Sequence, residues 1–166
     1  MGIEIRPGTA ADAEKAGDIA VLAWEGINAG YRDILGADIF DGLFADWRQV
    51  KRNAVEKMFN NTSPSAGAFV AEDGGEIIGF VTYALDEAKK KGEILNNAVA
   101  PDKTGKGTGT AMYGRVLAYF KECGMTAASV TTGLDFGHAP ARRAYEKAGF
   151  NKRTESVTYY MTLQCR

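Results

Sequence analysis

Glycines alternate with other residues along a short stretch of the chain, from Thr104 to Thr110. Residues 94–99 before it have the composition of a β-strand that stops at Pro101, and residues 112–123 after it carry an apolar helical stripe. Glycine tolerates positive φ and lets a ligand approach the backbone closely. A helix N-terminus presents unpaired N–H groups at the positive end of its dipole. This order of elements predicts a phosphate or pyrophosphate site; the alternative is a flexible turn that happens to be rich in glycine. The candidate residues are Thr104, Gly105, Lys106, Gly107, Thr108, Gly109 and Thr110.

The spacing of these glycines does not match the two common nucleotide-binding motifs. A P-loop needs G-x-x-x-x-G-K-[ST], which the segment lacks. The dinucleotide fingerprint needs its third glycine one residue later than Gly109, and it follows the first strand of a βαβ unit. The segment here follows the fourth predicted strand, so both nucleotide motifs are disfavoured.

The composition is that of one globular domain covering residues 1–166. A chain of 166 residues with 45% hydrophobic residues can bury one core. Its net charge of −1 argues against nucleic acid as a partner. Two cysteines and the single His138 predict neither a disulfide framework nor a metal site. The sequence has no apolar run of the roughly 18 residues that span a membrane and no apolar stretch of a signal peptide. We therefore expect a cytoplasmic protein that does not bind membranes.

Hydrophobic periodicity divides the chain into strands and helices. Strands are predicted at residues 3–6, 68–72, 76–83, 94–99, 127–132 and 154–163, and helices at about 11–27, 40–58, 112–123 and 141–148. Asp73-Gly74-Gly75 between two apolar runs is a strong hairpin signal. The middle strands predict an antiparallel meander, and the later β–α–β crossover predicts a parallel pair. The expected fold is mixed α/β, with helices on the faces of one mixed sheet.

Two motifs resemble those of the GNAT acetyltransferases. Residues 139–150, APARRAYEKAGF, closely resemble the C-terminal signature of that family, and Val99-x-Pro101 followed by the alternating glycines resembles its acetyl-CoA loop. The order of strands and helices is also similar, so the resemblance covers nearly the whole chain. It implies the GNAT fold, a central mixed sheet of about six to seven strands flanked by about four helices.

The resemblance also implies roles for particular residues. Backbone N–H groups from Thr104 to Thr110 should hold the CoA pyrophosphate, and Val99 should lie on the strand that pairs with the pantetheine arm. Tyr145 should protonate the leaving sulfur, and Glu93 matches a position that often holds the general base, usually acting through water. Further candidates are Asn97, His138 and Arg142 for the cosubstrate and Tyr31 for the acceptor.

Plainer explanations exist for several of these residues. Tyr145 shares a helical face with alanines, as a core tyrosine does, and Glu93 at a strand start is usually solvated. Tyr31 falls in the connection between the first two predicted helices, which commonly borders the acceptor site in this family. Thr104 stands where the family usually has Arg or Gln, so the charge beside the phosphates would come from neighbouring lysines.

The resemblance implies an N-acetyltransferase that uses acetyl-CoA as cosubstrate, without a metal. The acetyl group would pass to a primary amine of a small molecule or peptide by direct attack in a ternary complex. The alternatives are an acyltransferase with a different acyl donor and a non-catalytic domain that binds CoA as a sensor. The aromatic segment Val157–Met161, together with the resemblance, predicts a homodimer. The sequence leaves open the acceptor, and whether Glu93 or a chain of waters is the base.

Overall fold

A computed structural model describes residues 2–163, with a five-stranded sheet in the order β1-β2-β3-β4-β5 at its centre. The strands are β1 Glu4–Pro7, β2 Ala66–Asp73, β3 Glu76–Asp86, β4 Lys91–Val99 and β5 Ala127–Val130. β1 to β4 pair antiparallel, and β5 pairs parallel with β4. The predicted hairpin is present, with Gly74 and Gly75 at φ of 60° and 88°. The expected mixed sheet is confirmed.

Helices cover both faces of this sheet. They are α1 Ala13–Leu35, α2 Ala37–Phe44, α3 Trp47–Phe59, α4 Thr108–Glu122 and α5 Ala139–Lys147. On one face, α1 and α3 bury Ile19 and Val55 against Phe80 of the sheet. On the other, α4 and α5 bury Phe120 and Tyr145. No helix within residues 2–163 is long and apolar enough to cross a membrane.

The predicted boundaries of the first two helices are wrong. The stretch from Asn28 to Gly36, expected to be a connection, is helical as far as Leu35, and the chain turns at Gly36 with φ of 79°. A glycine inside a helix costs only about 1 kcal/mol, and this end of α1 packs against the turn at residues 136–138, with Ile27 beside Gly137 and Tyr31 beside His138. The second predicted helix is two helices, α2 and α3, separated by a break at residues 45–46.

The last predicted strand does not form. Residues 154–163 carry alternating apolar side chains, but they pair with no strand in the described part of the chain. Alternation produces a strand only where a neighbour supplies backbone partners and apolar surface. Here most of the apolar side chains stay in solvent, and Tyr159 is 88% exposed. Residues 2–163 therefore form five strands and five α-helices, where about six to seven strands and about four helices were expected.

Candidate active site

β4 and β5 separate halfway along β4. Their pairing stops at Ile94, opposite Val130, although β4 continues to Val99. A bulge follows in β4, where Thr82 Oγ1 of β3 accepts a hydrogen bond from Asn96 N at 2.9 Å and donates one to Asn96 O at 3.0 Å. The remaining edge of β4 on the side away from β3 has no strand partner within residues 2–163. An extended ligand could pair with the backbone along this edge.

The chain passes from β4 into the glycine-rich segment. Gly105 and Gly107 both have φ of 81°, and a β-carbon at either would stand in open space. Gly107 caps α4, whose first turn holds no acidic residue. The unpaired N–H groups of that turn therefore lie at the positive end of the helix dipole. The hydroxyl of Thr108 is buried without a hydrogen-bond partner in the described chain. The structure thus brings the candidate residues 104–110 together in the geometry of an anion site.

Tyr145, on α5, directs its hydroxyl at β4. Asn97 Nδ2 donates to Tyr145 Oη at 2.9 Å, and Tyr113 Oη of α4 donates to Asn97 Oδ1 at 2.7 Å. The two tyrosine rings pack with centroids 4.9 Å apart, and both are buried. Burial is the main cause that raises the pKa of Tyr145, and the hydrogen bond from Asn97 opposes it. Tyr145 therefore carries its proton at neutral pH.

Asn97 and Val99 share one face of β4, as strand alternation predicts. Val99 packs against the core beside α4. The polar atoms of Asn97 are bonded within the protein, to the two tyrosines and to Leu95 O, which lies 3.4 Å from Nδ2. The side chain of Asn97 thus contacts Tyr145, and its predicted contact with the cosubstrate stays a prediction.

Glu93 lies on the other face of β4. Its neighbour Ile94 packs towards α4, so alternation turns Glu93 towards the face covered by α1 and α3. Its Oε2 accepts from Lys91 Nζ at 3.1 Å, and both side chains are partly exposed. The carboxylate of Glu93 and the hydroxyl of Tyr145 therefore flank β4 from its two faces.

A second cluster surrounds the turn after β5. His138 Nδ1 lies 2.6 Å from Asp135 Oδ2, and Arg142 Nη1 donates to the carbonyl oxygens of Gly133 and Asp135 at 2.6 and 2.8 Å. Burial is the largest single influence on the pKa of Asp135 and raises it, but the side-chain hydrogen bond, the electrostatic attraction and the backbone hydrogen bond of His138 together outweigh burial, so the pKa falls. Tyr31 Oη donates to Asp135 Oδ2 at 3.4 Å. Tyr31 lies in α1 rather than in a connection, and His138 and Arg142 hold the turn itself.

Two residues that contact β4 from neighbouring helices were not predicted from the sequence. Tyr113 lies on the buried face of α4, and only its place one turn after Gly109 hints at the site. Lys51 of α3 donates to Asn96 Oδ1 at 3.0 Å, and its Nζ lies 4.2 Å from the centroid of the Trp24 ring. Burial lowers the pKa of Lys51. Nothing in the sequence separates Lys51 from the other basic residues of its helix.

Comparison with known proteins identifies the class. The model of the Acetyltransferase (GNAT) family matches residues 36–150, and the chain belongs to this family. It therefore has a GNAT fold, as the resemblance implied. Over 110 residues it is 28% identical to mycothiol acetyltransferase of Propionibacterium freudenreichii subsp. shermanii, a match that covers 64% of this chain and 35% of the relative. The chain thus spans about a third of the length of that curated relative.

Solved structures share the architecture. The PaiA N-acetyltransferase of Thermoplasma acidophilum in complex with coenzyme A has a TM-score of 0.75 at 21% identity, covering 94% of each chain. The aminoglycoside N-acetyltransferase AAC(6')-Iy, in complex with the bisubstrate analogue CoA-S-monomethyl-acetylneamine, has a TM-score of 0.66 at 14% identity. That match covers 98% of this chain and 100% of the other. At such identities the likeness is one of fold.

Proposed function

We propose that the protein transfers the acetyl group of acetyl-CoA to a primary amine of a small molecule or peptide, by direct attack in a ternary complex. The observation that carries this proposal is the free edge of β4, which leads into the glycine-rich turn at α4. The edge offers backbone partners for an extended chain, and the turn offers N–H groups for phosphates. Pantetheine and pyrophosphate follow one another in CoA in that order.

The residues present fit this cosubstrate. The N–H groups of residues 105–110 would hold the pyrophosphate, with the exposed Lys106 beside them, and the backbone at Val99 would pair with the pantetheine arm. Gly105 and Gly107, whose positive φ favours glycine, leave that surface without β-carbons. His138 and Arg142 would shape the turn that borders the same cleft. The CoA in the PaiA complex, on a similar fold, supports the assignment.

Bound acetyl-CoA would supply an acetyl group activated as a thioester. An amine attacks only in its neutral form, and Glu93 would take the ammonium proton directly or through water. Tyr145 holds a proton at Oη and would give it to the departing sulfur. A backbone N–H near Val99 would stabilise the charge that gathers on the carbonyl oxygen. The chain therefore contributes chiefly by positioning two substrates beside an acid and a base.

A turnover screen tests the acceptor class. Amino acids, polyamines, aminoglycosides and peptides would each be offered with acetyl-CoA, and Tyr31 is the residue proposed to border their site. The bisubstrate analogue on AAC(6')-Iy supports an amine acceptor. Binding of acetyl-CoA without turnover of any amine would favour the CoA-sensing alternative, and turnover only with other acyl-CoA thioesters would favour a different donor.

Gly107→Asp tests the donor site. The new side chain would set a like charge against the pyrophosphate, so we expect the affinity for acetyl-CoA to fall about tenfold or more in calorimetry on the folded variant. Gly74→Asp is the matched control, because Gly74 also has positive φ and open space but lies in the β2–β3 hairpin. Unchanged affinity in Gly107→Asp would contradict the loop assignment, and equal losses in both variants would indicate strain alone.

The proposal includes a cytoplasmic homodimer of single domains that needs no metal and binds neither nucleic acid nor membranes. The net charge of −1 supports the absence of a nucleic-acid partner. Exposed apolar side chains between residues 157 and 163 support self-association.

A further inference from the structure

We propose that Asn97 and Tyr113 are positioning residues that leave the hydroxyl proton of Tyr145 only loosely held by the protein, and so available to the sulfur of the bound acyl donor. The inference rests on the proposed function, since it requires that sulfur to lie beside Tyr145. It adds two residues, from β4 and α4, whose joint effect is to fix one proton.

The neighbours of Asn97 fix the orientation of its amide group. Leu95 O, which can only accept, lies 3.4 Å from Nδ2. Tyr113 Oη donates to Oδ1 at 2.7 Å, the shortest contact in the group. The amide nitrogen is therefore the atom presented to Tyr145, at 2.9 Å from its Oη.

This orientation decides what Tyr145 does with its proton. An amide nitrogen donates, so Nδ2 occupies a lone pair of Tyr145 Oη and does not compete for its O–H group. The O–H group of Tyr145 donates to Asn97 Oδ1 at 3.2 Å, the longer of the two bonds that this oxygen accepts, since Tyr113 donates to it at 2.7 Å. A ligand can therefore draw the Tyr145 proton away from its long bond without leaving Asn97 Oδ1 unpaired.

Burial makes the arrangement sensitive to the loss of one hydroxyl. Tyr113 is 4% and Tyr145 6% exposed, and an acceptor beside such buried rings is costly to leave without a donor. In Tyr113→Phe, Asn97 Oδ1 loses its shorter bond while the ring stays packed against Tyr145. Its remaining donor in the described chain is the O–H group of Tyr145 at 3.2 Å. The variant should therefore hold the Tyr145 proton on Asn97.

CoA itself is a suitable probe, because its thiol titrates whereas acetyl-CoA has no such group. A hydroxyl that donates to the sulfur stabilises the thiolate and lowers the pKa of the bound thiol below the ~8.5 typical of a thiol. Calorimetry of both ligands from pH 6 to 9 gives the ratio of their affinities. In the wild type we expect CoA to gain about tenfold over acetyl-CoA as the pH rises. Tyr145 keeps its proton over this range, since burial raises its pKa.

Three variants separate positioning from packing. We expect Tyr145→Phe to abolish the pH-dependent gain and Tyr113→Phe to reduce it several-fold. Adding Asn97→Leu to Tyr113→Phe removes the oxygen that captures the proton, so the gain should return. A merely structural role of Tyr113 predicts no such rescue. Thermal unfolding of each variant confirms that it is folded.

The results of these measurements distinguish failure of the positioning role from failure of the proposed function. A full gain in Tyr113→Phe, or a loss that Asn97→Leu does not restore, overturns the positioning role and leaves Tyr145 as the acid. A wild-type ratio that does not change with pH, or one that Tyr145→Phe leaves intact, also overturns it. Failure of the wild type to bind either ligand overturns the proposed function instead.

Discussion

At position 145, one oxygen atom distinguishes tyrosine from phenylalanine, and that oxygen carries the proton of the proposed acid. Tyr145→Phe keeps the ring against Tyr113 and Phe150 and removes the proton donor. General acid–base groups typically contribute about 10²–10⁴-fold. We expect kcat to fall towards the lower end of that range, because a thiolate is a good enough leaving group for water to replace the acid in part.

The measurement is turnover with an acceptor from the screen, together with the single-turnover rate, which excludes limitation by product release. A wild-type single-turnover rate in Tyr145→Phe would remove this residue from the mechanism. A tyrosine that only packs would instead show lower thermal stability with near-normal turnover.

Asp12 is a buried carboxylate bound by Arg6. Arg6 Nη1 and Nη2 donate to its two oxygens, each at 2.9 Å, and Thr9 N donates at 2.8 Å. The hydrogen bond from Arg6 is the main cause that lowers the pKa of Asp12 from 3.8 to about 2, while burial acts in the opposite direction. Because the folded pKa is the lower one, the stability that Asp12 contributes is present above pH 3.8 and lost as the pH falls towards 2.

Asp12→Asn should therefore lower the free energy of unfolding by about 1–2 kcal/mol at pH 7. The difference from the wild type should shrink between about pH 4 and pH 2, where the wild-type carboxylate becomes neutral as well. Urea unfolding at several pH values checks this, with the exposed Asp33→Asn as control. A difference that stays constant with pH would show that the charge of Asp12 is not what stabilises the fold.

The contact between β4 and α4 depends on Gly92. A β-carbon there would overlap the buried ring of Phe120, and overpacking of this kind costs about 1–3 kcal/mol. We expect Gly92→Ala to destabilise the protein by that amount in urea unfolding. Gly42→Ala, in α2 with open space around it, should instead stabilise it by about 0.5–1 kcal/mol. Equal effects of the two substitutions would contradict the close approach of strand and helix.

The elements with a local sequence signal were predictable, and those that depend on a distant partner were not. Asp-Gly-Gly makes the β2–β3 hairpin by its own conformational preference, and Gly124 ends α4 with φ of 74°. The extension of α1 to Leu35 depends on a turn near residue 136, which sequence periodicity cannot reveal. The segment 154–163 has the alternation of a strand but lacks the neighbour that would make it one.

The candidate site divides in the same way. The turn at residues 104–110 is contiguous in sequence, so its glycines and the start of α4 could be recognised together as one motif. The hydrogen bonds of Asn97 join residues 16 and 48 positions away, and no spacing rule indicates that Tyr113 and Tyr145 meet on one amide. The resemblance pointed to Tyr145, and to Asn97 only as a residue beside the cosubstrate, but not to Tyr113.

Exposed apolar side chains between residues 157 and 163 bear on the oligomeric state of the protein. Val157 is 71% and Tyr159 88% exposed, while Tyr160 packs edge-on against Phe44. Exposed apolar surface of this kind commonly marks an interface. We expect sedimentation to show a dimer at tens of micromolar, a concentration well above the dissociation constants of stable dimers.

Joint replacement of Val157 and Tyr159 by Ser should shift the dimer towards the monomer. Leu22→Ser, on α1 and 58% exposed in the wild type, is the control and should leave the dimer intact. A strict monomer of the wild type at this concentration would refute the interface.

The separation of β4 from β5 also affects the order in which the chain assembles. β2, β3 and β4 are joined by short turns, whereas β5 reaches β4 only after residues 100–126 have been placed, and closing that longer loop costs more entropy. The cleft therefore does not exist in a chain still emerging from the ribosome with only its hairpins formed. A ligand that contacts both β4 and β5 stabilises only molecules in which the connection between these strands is complete. Acetyl-CoA in the cell would therefore selectively stabilise finished chains.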